Sequence, residues 1–164
     1  MSMRDACPLP GDVLALPIPM ALDFDRGILG REFDRAEMAP VTAEELIAFA
    51  HALGETAAVY TQPGAQLIGH PTFCVSYKGN KFFPDNLPPQ LLGRMSFDAG
   101  KDVEFGVPIR PGDTIRVSSS VHDIYEKTGR SGSMVFVVVR IALTNQRDEL
   151  VANVDNRFMY RGER

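Results

Sequence analysis

The feature that most constrains this chain is the stretch from Lys101 to Tyr160, which reads as consecutive long β-strands separated by turns. Lys101–Ile109 is expected to form the first strand. Arg110-Pro111-Gly112-Asp113 then puts proline and glycine at the two central positions of a type II turn. Beyond it Ile115, Val117, Ser119 and Val121 alternate with Arg116, Ser118, Ser120 and His122, the period-two pattern of a half-buried strand. Thr128-Gly129-Arg130-Ser131-Gly132 turns the chain into a strand over Met134–Thr144, whose unbroken Val135-Phe136-Val137-Val138-Val139 predicts cover on both faces. Asn145–Asp148 turns it once more into a strand over Glu149–Tyr160.

A sheet of this kind must bury a face, and the preceding residues supply the cover. In Thr42-Ala43-Glu44-Glu45 the Thr42 hydroxyl is placed to cap a first-turn amide while Glu45 reaches back to the Thr42 amide, with Val41 set to staple onto Leu46. Leu46, Ile47, Phe49, Ala50 and Leu53 then recur at helical spacing on one face, and Gly54 supplies the left-handed stop. After a loop over Glu55–Gly69, His70-Pro71-Thr72-Phe73 opens a second, more buried helix expected to run to about Phe83, with Pro71 in its first turn. Pro84, Pro88 and Pro89 break regular structure, with one short helical turn expected near Gln90–Gly93. A short strand is expected at Gly30–Phe33. Residues 1–28, with Pro8, Pro10, Pro17 and Pro19, are expected to form an extended arm whose apolar members favour lying on a surface. The sum is a single α+β domain over residues 29–164, an antiparallel sheet wrapped around a central helix.

Composition excludes several functions. With 164 residues, 45% hydrophobic, the chain can bury one core, whereas two halves would each be marginal. A net charge of -4 supplies no electrostatic footprint for nucleic acid or an anionic membrane. The cysteines, Cys7 and Cys74, show no CxxC or Cys/His ligand spacing, so no metal is expected and a reduced, cytoplasmic setting fits. Apolar Val13–Leu22 is interrupted by Pro17 and Pro19 and is too short to span a bilayer.

Several segments, in order, resemble one family. Val41-Thr42-Ala43-Glu44-Glu45-Leu46-Ile47-Ala48-Phe49-Ala50 with Gly54 is similar to the helix before the active loop of the MaoC-like (R)-specific enoyl-thioester hydratases and dehydratases, and Val59-Tyr60-Thr61 to the continuation of that loop. His70-Pro71-Thr72-Phe73 resembles the start of the family's central hot-dog helix. Val103-Glu104-Phe105 with Pro108-Ile109-Arg110-Pro111-Gly112-Asp113 resembles its strand-turn signature, and Leu143-Thr144-Asn145-Gln146 with Glu149-Leu150-Val151 its last hairpin. The resemblance spans about residues 30–161 and implies a hot-dog fold that pairs with a second such chain, as a homodimer or heterodimer. It also implies an acyl-thioester substrate, carried on coenzyme A or acyl carrier protein, with no metal or redox cofactor.

The resemblance also locates a damaged site. In catalytic members the loop reads Gly-Asp-x-Asn-Pro-x-His, and its Asp and His activate the water that adds to the enoyl thioester. Here it reads Gly54-Glu55-Thr56-Ala57-Ala58-Val59-Tyr60, so Glu55 stands at the Asp position and Tyr60 at the His position. Tyrosine side chains titrate near ~10, far from where a neutral-pH general base works. A carboxylate displaced by about 1 Å can lose on the order of a hundredfold in rate. The pattern resembles the family's N-terminal-type domain, which binds the acyl chain while a partner domain performs the chemistry. Gly69, His70, Pro71, Thr72 and Phe73 are the candidate substrate-binding residues, at a helix start whose amides polarise the thioester in catalytic relatives.

Each candidate also has a plainer role open to it. Glu55 fits a solvated carboxylate beside a helix stop, Tyr60 an amphipathic anchor, His70 a helix cap, and Phe73, Val75, Tyr77, Phe82 and Phe83 plain core. Lys78, Lys81, Lys127 and Arg130 are candidate contacts for coenzyme phosphates or an acidic carrier. The expected function is an acyl-thioester-binding, non-catalytic subunit. A self-sufficient hydratase, in which Glu55 works with Tyr60 or His70, is the alternative. A hot-dog thioesterase ranks below both, because residues 71–83 carry no well-placed acid.

Overall fold

Leu22 marks the start of the part of the chain that the computed structural model describes, which comprises residues 22–88, 91, 96–129 and 132–161. Five strands, β1 (Glu32–Glu37), β2 (Ser96–Phe105), β3 (Arg116–Gly129), β4 (Gly132–Thr144) and β5 (Leu150–Arg161), form one antiparallel sheet in the order β1-β3-β4-β5-β2. The alternation read from the sequence is the burial pattern of β3, where Ile115, just before the strand, and Val117, Ser119 and Val121 face inward and are all buried. Val137, Val138 and Val139 of β4 are buried as well. The turns form where expected. Gly112 takes φ 86° and the Asp113 amide donates to the Arg110 carbonyl at 3.1 Å, while Asp148 adopts φ 60° in the β4–β5 turn.

Helix α1 (Ala43–Ala52) opens with the complete capping box: the Glu45 amide donates to Thr42 Oγ1 at 3.1 Å and the Thr42 amide to Glu45 Oε2 at 2.8 Å. It closes in a Schellman motif, with Gly54 at φ 75° and the amides of Gly54 and Glu55 donating to the carbonyls of His51 and Ala50. Its buried stripe is narrower than its apolar pattern suggests. Leu46 and Ala50 are fully buried, but Leu53, at the C-cap, is 53% exposed.

Three further elements depart from the sequence expectation. The loop after Gly54 contains a single helical turn, α2 (Ala58–Thr61), secured by the Thr61 hydroxyl donating to the Ala57 carbonyl at 3.0 Å. β1 lies at Glu32–Glu37 rather than Gly30–Phe33, because Gly30 is a left-handed corner (φ 72°) tied to the Val121 carbonyl. β2 runs from Ser96 to Phe105 rather than Lys101–Ile109, with a bulge between Asp98 and Lys101 where Gly100 takes φ 99°.

The largest correction concerns the central helix. It does not reach Phe83: it is a 3₁₀ helix over Pro71–Ser76. Asp34 of β1 accepts the Asn80 amide at 2.5 Å and the Lys81 amide at 3.1 Å, amides that a continuing helix would need for itself. Gly79 presses against Asp34 and Ser119 so closely that a Cβ there would collide with the Asp34 carboxylate. Cys74 of this helix is buried with Val41, Leu46, Ile115, Val117, Leu143 and Val154 in one core cluster. A second cluster, around Val121, Val137, Val139 and Tyr160, is covered by Leu22, Phe24, Ile28 and Phe83. Leu22 to Ile28 of the expected arm therefore lie on the sheet, and residues 1–21, with Cys7 and Val13 to Ala21, fall outside the described residues. Of the turn expected at Gln90–Gly93 only Leu91 is described, its amide donating to the Pro88 carbonyl. No helix among the described residues is long and apolar enough to cross a membrane.

Candidate active site at the start of the short central helix

The Schellman stop of α1 aims Glu55 across the loop. Glu55 Oε1 accepts the amides of Thr56 at 2.7 Å and Ala57 at 2.8 Å. The Ala57 and Thr56 amides, and then the nearby His70, hold this carboxyl below the usual glutamate range. A carboxylate so stabilised is a weaker base than a free one. Ala57 also caps α2, which carries Tyr60 to the face of His70, their ring centroids 5.3 Å apart at 63°.

His70 is fixed from the opposite side. Its Nδ1 lies 2.8 Å from Thr72 Oγ1 and accepts the Thr72 amide at 3.3 Å. An amide can only donate, so the neutral ring carries its proton on Nε2, the nitrogen facing Glu55 Oε2 at 4.0 Å. That separation is too long for a direct hydrogen bond but close enough for attraction once the imidazole is charged. Phe49 stands 5.1 Å edge-on from Phe73, which is 5.7 Å from Tyr77, so Phe73 belongs to an aromatic column rather than to an open wall. Burial pushes the Tyr77 phenol up to about 12, so it stays protonated and is a weaker acid than a free tyrosine.

Beside His70 opens an apolar cleft of about 320 Å³, bounded by Ile68, Gly69, His70, Pro71 and Cys74 on one side and Phe105 to Ile109 with Val151 on the other. Gly69 keeps the walls close: its amide donates to the Ile109 carbonyl at 2.8 Å, and a Cβ there would stand 3.2 Å from Leu46. The structure thus brings Glu55, Tyr60 and His70 together, and lines the cleft with Gly69, His70 and Pro71. Thr72 is spent on His70, and His51 and His122 are exposed elsewhere. Lys78 and Lys81 share a separate pocket with Lys101, Lys127 lies over Tyr125 and Phe136, and Arg130 lies outside the described residues. The far wall was not anticipated as part of a site. Gly106 was its available signal, since a Cβ there would collide with the Leu150 carbonyl and only glycine lets the strand end press so close.

The helix start itself is largely self-satisfied. Gly69 donates to Ile109, Pro71 has no N–H, Thr72 donates to the His70 ring and Phe73 to the His70 carbonyl at 2.8 Å. At most the amide of His70 is left to face a thioester carbonyl.

A five-stranded sheet in this order, closed over a helix whose N-terminus meets a carboxylate-bearing loop, is the hot-dog architecture of the MaoC-like hydratases and dehydratases. The family model described as FAS1-like, dehydratase domain region, matches residues 28–154, and the chain belongs to that family. Among curated proteins no sequence matches it. Similar solved structures include a MaoC-like dehydratase from Rhodospirillum rubrum, 22% identical, covering 83% of this chain and 94% of the other at a TM-score of 0.55. The ChsH1-ChsH2 complex from Mycobacterium tuberculosis is 15% identical, with coverages of 80% and 86% and a TM-score of 0.61. The HadBC (3R-hydroxyacyl-ACP dehydratase) complex from the same organism is 20% identical, with coverages of 80% and 96% and a TM-score of 0.57. At these identities the likeness establishes the fold.

Proposed function

We propose that this chain is the acyl-thioester-binding, non-catalytic subunit of a MaoC-like hydratase/dehydratase, paired in the cytoplasm with a second hot-dog chain that supplies the acid/base pair. The observation that carries this reading is the self-satisfaction of the site. Glu55 spends one oxygen on its own loop, and the amides of Thr72 and Phe73 at the helix start are bonded within the chain. Water addition to an enoyl thioester needs a base close to its working pKa and free donors aimed at the developing oxyanion. The apolar cleft beside His70 is retained, which suits binding without chemistry. Two-chain complexes among the similar structures support the pairing.

The second reading is a self-sufficient hydratase, favoured by the 4.0 Å approach of His70 Nε2 to Glu55 Oε2. There His70 would replace the family histidine from the other side of the cleft. A thioesterase has less support: Asp34 does reach the central segment, but its carboxylate is occupied by the amides of Asn80 and Lys81. The test is enoyl-CoA hydration by this chain mixed with a MaoC-like chain that retains the Gly-Asp-x-Asn-Pro-x-His loop. Turnover that exceeds the partner's own and saturates at equimolar mixing is expected. A partner rate unchanged by the addition, whatever the ratio, would contradict the subunit role.

A further inference from the structure

We infer that the pocket beyond the central helix receives the distal end of the acyl group and that this end carries a carboxylate, so that the substrate class is a short dicarboxylic half-thioester. The inference rests on the acyl-binding reading above and adds the chemistry of the acyl group.

Where the chain leaves the 3₁₀ helix at Tyr77, residues 78–82 lie over the sheet face that carries Ser119 and Val139, held there by Asp34 through the Asn80 and Lys81 amides. Between this crossing and the sheet lies a pocket of about 210 Å³. That is smaller than the roughly 300–1,000 Å³ of sites that enclose drug-sized ligands, so it suits a short group rather than a long alkyl chain. Val139, Ile141 and Phe158 give it an apolar wall.

Two polar features distinguish it from a plain acyl tunnel. The first is Ser119, which lines the pocket while only 1% exposed and whose hydroxyl has no hydrogen-bond partner. A buried hydroxyl without a partner is an uncompensated cost that a ligand oxygen would relieve. The second is charge. Lys78, Lys81 and Lys101 contribute to the walls against the carboxylate of Asp98, while the neighbouring Asp34 carboxylate is taken up by the amides of Asn80 and Lys81. Lys81 and Lys101 pair with Asp85 and Asp98, but these carboxylates are 86% and 64% exposed, and such pairs hold their cations weakly. Lys78 lies 5.7 Å over the Phe82 ring and has no carboxylate partner among the described residues. A saturated alkyl end would leave both the hydroxyl and the cations unmatched, whereas a terminal carboxylate on a short methylene linker meets the apolar wall and the cations together.

The test compares two saturated four-carbon thioesters, succinyl-CoA and butyryl-CoA, by calorimetric titration of the purified full chain. Succinyl-CoA is expected to bind at least about tenfold more tightly, a preference of about 1.4 kcal/mol. Lys78→Gln and Ser119→Ala are expected to bring the two ligands towards parity by weakening only succinyl-CoA. Arg35→Gln, exposed on the edge strand β1 and paired with Glu32, is expected to change neither. Equal affinities in the wild type overturn the inference and leave the acyl-binding reading standing. Equal weakening of both thioesters by Lys78→Gln also overturns it, because the lysines then serve coenzyme phosphates. Binding of neither thioester overturns the acyl-binding reading together with this assignment.

Discussion

Two carboxylates sit beside turns in this molecule, and they are used in opposite ways. Asp113 closes the turn before β3, is 2% exposed, and gathers partners from three places: the Arg110 amide at 2.8 Å, Gln146 Nε2 at 3.0 Å and Arg147 Nη1 at 3.2 Å. It ties one turn to another more than thirty residues away. Glu55 follows the stop of α1, binds two amides within its own loop, and leaves its second oxygen towards His70 at 4.0 Å. A buried carboxylate with both oxygens committed, one of them across the fold, is structural. One held locally, with an oxygen to spare at the edge of a cleft, is available to a ligand or a partner chain.

The contrast predicts a graded set of losses. Asp113→Ala takes the acceptor from the Arg110 N–H and unties Gln146 and Arg147 from the turn, although Arg147 keeps Glu149, and should lower unfolding free energy by about 2 kcal/mol in urea denaturation. A loss under about 0.5 kcal/mol would erase the distinction between the two sites. Thr42→Ala removes the capping box at the start of α1, at the far end of the helix from Glu55, and should cost about 1 kcal/mol. No measurable change would show that tertiary packing of Leu46 and Ala50 alone holds the helix.

Glu55→Ala is expected to have the smallest effect on stability, and its sign depends on pH. The carboxyl is held below the ordinary glutamate value of 4.5 in the folded chain by the amides of Ala57 and Thr56. Its stabilising contribution is therefore complete above that value and disappears as pH falls through the lower folded pKa. The melting temperature of the wild type should exceed that of Glu55→Ala slightly at pH 7, with the gap closing below pH 4.5. A gap that widens on acidification would mean the carboxyl is raised, as a general acid requires, and would move Glu55 from scaffold to chemistry.

What could be read from the sequence follows the same division between local and distant causes. The helix stop at Gly54, the capping box at Thr42, the turn at Gly112 and the alternation through β3 are each set by residues within a few positions of one another. The truncation of the central helix depends on Asp34 meeting Asn80, 46 residues away, and nothing in the sequence around Pro71–Phe83 announces it. Glu55 and Tyr60 are legible as substitutions at the positions of a motif. Their meeting with His70 depends on α2, a single turn that the Glu55–Gly69 loop conceals. The position of β2 was hidden for a related reason, since its bulge at Gly100 shifts the strand against β5.

The most direct test of the central claim is enoyl-CoA hydration by the purified chain alone, followed as loss of conjugated-thioester absorbance, with Glu55→Ala and His70→Ala in parallel. The account predicts no turnover above background for the wild type and both variants. Saturable turnover by the wild type that is abolished in Glu55→Ala and His70→Ala would contradict it and establish a rebuilt Glu/His active site.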